Sequence, residues 1–423
     1  MWRRCWTYAM VLGGLGVGSN IGWAQTKVAV VSLKPYGAMS QAELDENHPI
    51  ADKPGWMTSG PPGGIAWRGI GDVAIDGEGR VYIGLPIWTT GYAPKVDAST
   101  SAARGVGDKL RVLVFNGKGK GEVESKMDFP TKSLDRIDLR LAGDGTLLVL
   151  ADDKLMRVGA DGKPTAQLDV PNVQKEFEVW YLRSSVSGRT VRLRLNDKSA
   201  EFVDAQTLAV IKQCHVANDM NDTGLLTDDL ELMSMVETTQ PSLTYGLESE
   251  RFCEKRERLQ SFGNINFVPS IVDDGRLLAI AQESIALRKM SGETLWTSKA
   301  PAGRFLQQYE GDERLSHDGS RVAVRVLKRI EYRTPQKRQP AEWEPDGGQH
   351  SRDGWTYPRV KTVEVDDGIA VWDVASGHLI GQVPIEGAEG DKYYKPKATF
   401  ALSPDGKLLA VLQEGELAIW KMD

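Results

Sequence analysis

The side chains that could perform chemistry are sparse in this sequence and widely spaced. The five histidines are His48, His215, His317, His350 and His378. No two of them have the spacing of metal ligands, and the sequence contains neither a Cys-x-x-Cys nor a Cys-x-x-Cys-His motif. We therefore predict no catalytic residue, no bound metal and no cofactor, and we interpret His317 and His378 as turn residues.

Two segments have some features of ligand-binding loops but fit hairpin turns better. Asp72, Asp76 and Glu78 could converge on calcium, but the distal bidentate glutamate of an EF-hand loop is missing. Gly117-Lys-Gly-Lys-Gly121 has the glycines of a phosphate loop, but it lacks the Gly-Lys-Ser/Thr ending and leads into a strand. We predict hairpin turns at both places.

Tryptophan and tyrosine concentrate in three irregular inserts, which span residues 34–71, 86–107 and 329–360. The aromatic residues that we predict to form a binding face are Trp56, Trp67, Trp88, Tyr92, Trp343, Trp355 and Tyr357. Aromatic side chains on long loops above a rigid scaffold are typical of binding surfaces. The alternative is that these rings pack the inserts onto the scaffold.

The scaffold is predicted from a repeated hairpin that is clearest at the C-terminus. Residues Thr399 to Met422 form three β-rich runs separated by Ser-Pro-Asp-Gly and Glu-Gly turns. Related turns lie near residues 76, 144, 188, 228, 274, 318 and 405, and the middle gaps are 44, 40, 46 and 44 residues. Such a period indicates a β-propeller. We predict an all-β fold in which residues 25–423 form one seven-bladed propeller of four-stranded antiparallel blades.

Closure of the ring and the placement of the inserts follow from strand order. The last unit contains three strands, whereas a blade needs four, called a to d from the inside outwards. We predict that residues 25–33, with the run Lys27 to Leu33, supply the missing outer strand. Since consecutive strands reverse direction, b–c and d–a connections emerge on one face, where all three inserts are expected.

One segment resembles a known repeat family. Asp367-Gly-Ile-Ala-Val-Trp-Asp-Val-Ala-Ser-Gly-His-Leu-Ile380 resembles the strand-turn-strand of a WD-repeat unit, with Trp372-Asp373 as the dipeptide. Asp204 to Val210 and Lys289 to Trp296 resemble the same passage. One unit carries the dipeptide, and none carries the Gly-His pair at the position found in typical family members, since Gly377-His378 lies in the turn after the dipeptide. The likeness is to bacterial WD-repeat-like seven-bladed propellers, and it implies the fold but no activity.

The N-terminus has the three parts of a secretory signal. Arg3 and Arg4 form a positive region, residues 9–17 form an apolar run, and Gly22-Trp23-Ala24 ends in small residues. We predict that residues 1–24 are removed and that the protein is exported, either to a periplasm or fully secreted. The alternative is a poorly ordered N-terminus in a cytosolic protein. The apolar run is too short to span a bilayer, and no transmembrane segment is expected in the mature chain.

Three cysteines are present, and Cys5 lies inside the signal. The remaining pair, Cys214 and Cys253, is predicted to form a disulfide in an exported protein. The alternative is two buried, unpaired thiols.

The charge pattern narrows the class of partner. The chain has 52 basic and 58 acidic residues, well mixed, and a net charge of -6, so nucleic acid is not expected as a partner. We predict a binding or scaffold module without catalysis, whose unknown protein or small-molecule partner binds the insert-bearing face. The alternative is a propeller enzyme, such as a lactonase-like hydrolase or a quinone-dependent dehydrogenase.

Overall fold

The computed structural model is an all-β protein. It describes residues 25–38, 72–87, 109–117, 122–130, 137–151, 154–159, 162–170, 182–196, 199–215, 225–226, 231–239, 242–250, 256–261, 268–273, 275–306, 313–334, 359–385, 398–413 and 415–423. Within these ranges the regular structure consists of β-strands and one 3₁₀ turn, Lys34–Tyr36.

In the part of the chain that the structure describes, the strands form seven antiparallel sheets. Sheet 1 contains β2 Asp72–Ile75, β3 Arg80–Ile87, β4 Lys109–Asn116 and β5 Val123–Pro130. Sheet 2 contains β6 Ile137–Leu141, β7 Leu147–Ala151, β8 Lys154–Val158 and β9 Pro164–Asp169. Sheet 3 contains β10 Leu182–Ser184, β11 Thr190–Asn196, β12 Ser199–Asp204 and β13 Val210–His215. Sheet 4 contains β14 Leu225–Leu226, β15 Glu231–Thr239, β16 Ser242–Glu250 and β17 Arg256–Ser261.

The remaining sheets include one with a divided inner strand. Sheet 5 contains β18 Val268–Asp273, β19 Arg276–Ala281, β20 Ser284–Lys289 and β21 Thr294–Lys299. Sheet 6 contains β22 Phe305–Leu306, β23 Glu313–Leu315, β24 Arg321–Thr334, β25 Arg359–Asp373 and β26 Leu379–Pro384, with β22 and β23 both paired to β24. Sheet 7 contains β27 Ala398–Leu402, β28 Leu408–Gln413, β29 Glu416–Met422 and β1 Gln25–Ser32.

The inner strands arrange these sheets around an axis. The first strand of each sheet contacts the first strand of the next, in the order β2, β6, β10, β14, β18, β23 and β27, and β27 contacts β2. Sheets that meet along their inner strands in this way form a β-propeller. The prediction of an all-β propeller built from antiparallel sheets is confirmed.

The a–b turns explain why the repeat is visible in the sequence. In sheets 3, 6 and 7 the hydroxyl of Ser185, Ser316 or Ser403 accepts the backbone N–H five residues later, at 2.9 to 3.1 Å. The backbone oxygen of each serine accepts the N–H of a glycine whose φ is 67 or 68°. Glycine adopts this conformation without the steric cost of a Cβ. Each turn is therefore fixed by residues close together in sequence.

Apolar clusters fill the spaces between neighbouring sheets. Ile83, Phe115 and Ile419 belong to the cluster between sheets 1 and 7. Trp372, the tryptophan of the WD dipeptide, is fully buried in the cluster between sheets 5 and 6. Its Nε1–H has no acceptor among the described residues, so packing is its main contribution. Full burial of a large apolar side chain stabilises a fold by about 1.5–3 kcal/mol.

Polar contacts also fasten neighbouring sheets to each other. Trp296 of β21 donates from Nε1 to the backbone oxygen of Val374 at 2.9 Å, which joins sheet 5 to sheet 6. Its ring lies against Gly377, where an added Cβ would be 2.6 Å from Cδ2. Arg157 of sheet 2 similarly donates to the backbone oxygen of Ala205 in sheet 3 at 2.9 Å.

The strand predicted at residues 25–33 is observed as β1, in the outer position of sheet 7. It pairs antiparallel with β29, from Gln25 opposite Met422 to Ser32 opposite Glu416. Leu33, which is fully buried, continues the pairing by donating its N–H to Gly415 O at 2.7 Å.

The boundaries predicted for the inserts need correction, because strands and turns continue into all three. Pro86 and Ile87 belong to β3, and residues 34–36 form the 3₁₀ turn. Residues 329–334 belong to β24 and residues 359–360 to β25. Charged residues and the nearby Pro335 and Pro358 suggested an irregular segment, but pairing between two long strands outweighs that local signal.

Candidate binding face and charged cluster

Strand direction divides the connections between two faces of the propeller. The a–b and c–d turns leave the sheets on one face, here called the turn face, and the b–c and d–a connections leave on the other, the insert face. The three longest connections, residues 39–71, 88–108 and 335–358, all join strand ends at the insert face. By contrast, Gln282 and Glu283 alone form the b–c connection of sheet 5.

Every aromatic residue of the predicted binding face lies outside the described residues. These residues are Trp56, Trp67, Trp88, Tyr92, Trp343, Trp355 and Tyr357. Cys253 of the predicted disulfide also lies outside, while Cys214 belongs to β13, where its backbone pairs with Ala200. The aromatic face and the disulfide both stay predictions.

The strands that flank residues 335–358 extend well beyond the rest of sheet 6. β24 and β25 pair continuously from Lys328 opposite Val365 to Thr334 opposite Arg359. In this stretch neither β22 nor β26 pairs with them. The backbone therefore forms a two-stranded ribbon, which rises from the insert face by roughly 20 Å at about 3.3 Å per residue.

A carboxylate at a β-bulge lies at the base of this ribbon, where the two strands leave the rest of sheet 6. The register between β24 and β25 shifts at Asp367, which has no opposite residue in β24. Its carboxylate forms an ion pair with Arg304, accepts a hydrogen bond from Gln382 Nε2 at 3.3 Å and lies 3.7 Å from Lys328 Nζ. Because Arg304 lies in the connection from sheet 5 to sheet 6, Asp367 ties both sheets together below the ribbon. Bulges commonly re-aim a side chain in this way.

A second anchor lies where the 39–71 connection begins. The Tyr36 ring meets Phe115 edge-on, with ring centres 6.2 Å apart. Arg111 donates to the backbone oxygen of Tyr36 at 2.7 Å and holds Asp128 with two hydrogen bonds of 2.7 and 2.9 Å. These bonds lower the pKa of Asp128 far below its ordinary value. The chain leaving β1 is thus docked onto sheet 1 before the connection starts.

A charged cluster lies along the inner strands, between Asp72 at the start of β2 and Arg140, two residues before the a–b turn of sheet 2. Asp72 is the first residue of β2, and its Oδ2 accepts the N–H of Leu139 in β6 at 2.7 Å. Arg140 Nη1 lies 3.5 Å from the same oxygen, and Arg140 Nη2 lies 3.1 Å from Asp138 Oδ1. The two carboxylates and the guanidinium join the inner strands of sheets 1 and 2.

The cluster extends to the neighbouring sheets 6 and 7. Burial raises the pKa of Asp72, while the charges of Arg140 and Arg314 act in the opposite direction. Arg314, on β23 of sheet 6, has its guanidinium 5.7 Å from the centre of the Phe400 ring in sheet 7, and Arg325 lies 5.6 Å from the same ring. Charge and cation–π contacts therefore link the inner ends of four sheets.

Another buried carboxyl lies between sheets. Glu201 is in the half of β12 nearer the insert face and is 6% exposed. Its Oε2 has no hydrogen-bond partner among the described residues, and burial raises the pKa of the carboxyl. Ionisation of a buried, unpaired carboxyl opposes folding.

The turn at Asp76 is a hairpin, as predicted. Its Oδ1 accepts the N–H groups of Glu78 and Arg80, and its Oδ2 accepts Arg80 Nε at 2.7 Å and the Tyr82 hydroxyl at 2.9 Å. Gly117 follows β4, which pairs antiparallel with β5, while residues 118–121 of the second predicted turn lie outside the described residues. In the described ranges no group of three or more His, Cys, Asp or Glu is placed to hold a metal.

The three described histidines lie apart from the charged cluster. His317 and His378 are exposed residues near the a–b and c–d turns of sheet 6, in agreement with the prediction. His215 is the last residue of β13, and His48 and His350 lie outside the described residues.

No sequence motif pointed to Asp138, Arg140 or Arg314, and Asp367 was noted only as the start of the WD-like segment and as part of an acidic pair interpreted as a turn, whereas it lies in β25. One signal was available, because Arg140 and Arg314 each lie two residues before the start of an a–b turn, at Ala142 and Ser316. A repeat aligned on its turns would have placed both arginines at the same height on inner strands. The bulge at Asp367 depends on pairing that no local pattern reports.

Comparison with known proteins gives a fold likeness and no sequence relative. No protein-family model and no curated protein matches the chain. The C-terminal WD40 domain of Sif2 is similar at 10% identity and a TM-score of 0.47, covering 84% of this chain and 97% of that one. The β-propeller domain of Cps50 (Swd1) from Myceliophteria thermophila is similar at 13% identity and a TM-score of 0.42, covering 75% and 93%. In the described part of this chain, no helix has the length and hydropathy required to cross a bilayer.

Proposed function

We propose that the protein is an exported, seven-bladed propeller that acts as a binding or scaffold module through its insert face. Each of the seven sheets is one blade, and β1 closes the ring by completing sheet 7. The order of contacts between inner strands, from β2 round to β27 and back to β2, supports this count. The pairing of β1 with β29 supports the closure.

The observation that carries the binding proposal is the position of the long connections. All three attach to the insert face, whereas the turn face consists of short turns. Ordering a residue costs roughly 1–2 kcal/mol of backbone entropy, so long connections on one face need a compensating role. Recognition of a partner by their aromatic residues provides that role.

Two sets of tryptophan variants test this proposal. Partners are captured with the full chain from an extract of the cells that make it, identified by mass spectrometry, and then purified for binding measurements. Replacing Trp88 and Trp355 with Ala is expected to weaken binding by at least about tenfold, or 1.4 kcal/mol, with an unchanged melting temperature.

Trp296→Ala is the matched control, because Trp296 fastens sheet 5 to sheet 6 on the turn face. This variant is expected to melt at a lower temperature and to bind normally. The binding proposal is wrong if the Trp88 and Trp355 variants melt earlier but bind as the original protein does, since the aromatic residues would then only hold the inserts in place.

A further inference from the structure

A side-chain clasp fixes the start of β1 to the neighbouring sheet. The Gln25 backbone pairs with Met422 of β29 in sheet 7. Its side-chain amide reaches the other way, to β26 of sheet 6, where it donates to Gln382 O at 2.6 Å and accepts from Gln382 N. The amide thereby forms hydrogen bonds with the backbone N–H and C=O of Gln382, as a neighbouring strand would.

A glycine makes room for this clasp. A Cβ added at Gly381 would lie 1.7 Å from the outer amide atom of Gln25 that faces Gln382 N, and 2.6 Å from Gln25 Cδ. Real Cβ contacts are never this short, so only glycine at this position leaves space for the amide. Glycine within a strand often marks such a close approach. The slot is therefore specific for a side chain that comes from the beginning of β1.

Gln25 is also the residue that removal of residues 1–24 would leave at the N-terminus. A free N-terminal glutamine can cyclise. Its α-amino nitrogen bonds to the side-chain Cδ, the bond from Cδ to the amide nitrogen breaks, and that nitrogen takes the proton lost by the amine and leaves as ammonia. The product is a lactam with no terminal charge.

We propose that Gln25 is a modification site under the control of the fold: it is protected from cyclisation while clasped and forms pyroglutamate when β1 leaves the sheet. The two states exclude each other. Ring closure requires Cδ to bend back onto its own backbone nitrogen, whereas the clasp extends Cδ towards Gln382. Cyclisation also removes the amide NH₂, so it destroys one of the two hydrogen bonds of the clasp.

This inference rests on the proposed processing and is tested on the exported, processed protein. Mass mapping of the N-terminal peptide follows the loss of one ammonia during native incubation. The original protein is expected to retain an uncyclised Gln25, and Gly381→Ala, which closes the slot, is expected to cyclise at least about tenfold faster, because local opening sets the rate. Gly77→Ala is the control, since an added Cβ there meets nothing within 4 Å.

The outcomes separate the two proposals. An N-terminus other than Gln25 overturns the processing and this inference together. A correct N-terminus that cyclises equally fast in the original protein and in Gly381→Ala overturns the clasp alone. If Gly381→Ala does not fold, the original protein is heated through its melting transition. Cyclisation is expected to accelerate there beyond the trend of a peptide with the same first residues, and a rate that follows the peptide throughout contradicts the inference.

Discussion

The turn face and the insert face of the propeller use the same residue types in opposite ways. On the turn face, Asp373 Oδ1 accepts the N–H and the hydroxyl of Ser376 at 2.8 and 2.6 Å. These bonds lower the pKa of Asp373. Nearer the insert face, burial raises the pKa of Glu201 and Asp72. Asp373 is thus held in its charged form at a turn, whereas burial opposes the charged forms of Glu201 and Asp72.

Glycine shows the same contrast. Gly377 on the turn face and Gly303 on the insert face both have positive φ, 72 and 69°. The Trp296 ring packs against Gly377, but nothing lies within 4 Å of a Cβ added at Gly303. The turn at Gly377 is therefore packed and the connection at Gly303 leaves more space. The contrast is local, since a Cβ added at Gly145 on the turn face also meets nothing within 4 Å.

The largest effect is expected from β1, which runs from one face to the other. Deleting residues 25–33 removes the strand and the fully buried Leu33, whose loss alone costs about 2–5 kcal/mol. Thermal melting should shift down by more than for any variant below. Val30→Thr, at a position that is 47% exposed in the same strand, is the control and should melt normally. An unchanged melting curve after the deletion would contradict the proposed closure.

The two glycines provide a direct test of packing on the two faces. Gly303→Ala should cost about 1–2 kcal/mol, the penalty for a Cβ at positive φ. Gly377→Ala should cost about 1–3 kcal/mol more, because its Cβ would also displace the Trp296 ring. Urea denaturation of both variants measures the difference. Equal losses of unfolding free energy would show that the turn at Gly377 accommodates an added Cβ as easily as the connection at Gly303 does.

Glu201 should respond to pH in the direction set by its raised pKa. The carboxyl binds its proton more tightly in the folded state, so its contribution to stability is complete below the unfolded pKa and is lost as pH rises through the folded pKa. Glu201→Gln should therefore raise the free energy of unfolding at pH 7 by about 1–2 kcal/mol, and the melting temperature with it. Near pH 3 the melting temperature should be unchanged. A variant that is less stable at pH 7 would show that the charged form has a partner.

Asp373 should show the opposite dependence with a smaller amplitude. Hydrogen bonds from Ser376 favour its charged form, so its stabilisation is present above the unfolded pKa and is lost as pH falls through the folded pKa. Asp373→Ala should cost about 1 kcal/mol at pH 7 and less below pH 3. Melting temperatures of Asp373→Ala and Glu201→Gln should therefore approach that of the original protein at low pH and depart from it in opposite directions at pH 7. Parallel shifts would remove the contrast between the faces.

Features fixed by residues close together in sequence could be predicted, and features fixed by pairing between distant residues could not. Turns such as Ser403 to Gly406 could be predicted because a serine, an aspartate and a glycine fix them locally. The ribbon could not, since its strand character depends on pairing between residues more than twenty positions apart. The burial of Glu201 and the bulge at Asp367 were also missed, because both depend on neighbouring strands and sheets. The same limit applies to Gln25, whose clasp requires a glycine far along the chain.

The pairing of β1 with β29 has a consequence for synthesis. β1 precedes every other described strand and its partner β29 is the last of them, so β1 has no strand to pair with in this way until β29 has been made. During that interval a β-branched segment, Val28 to Val31, would remain an open edge able to pair with other chains. Contacts between the two chain ends also slow folding, since the whole loop must close first. The edge of β1 is therefore the part of this fold most exposed to wrong pairing until β29 has been made.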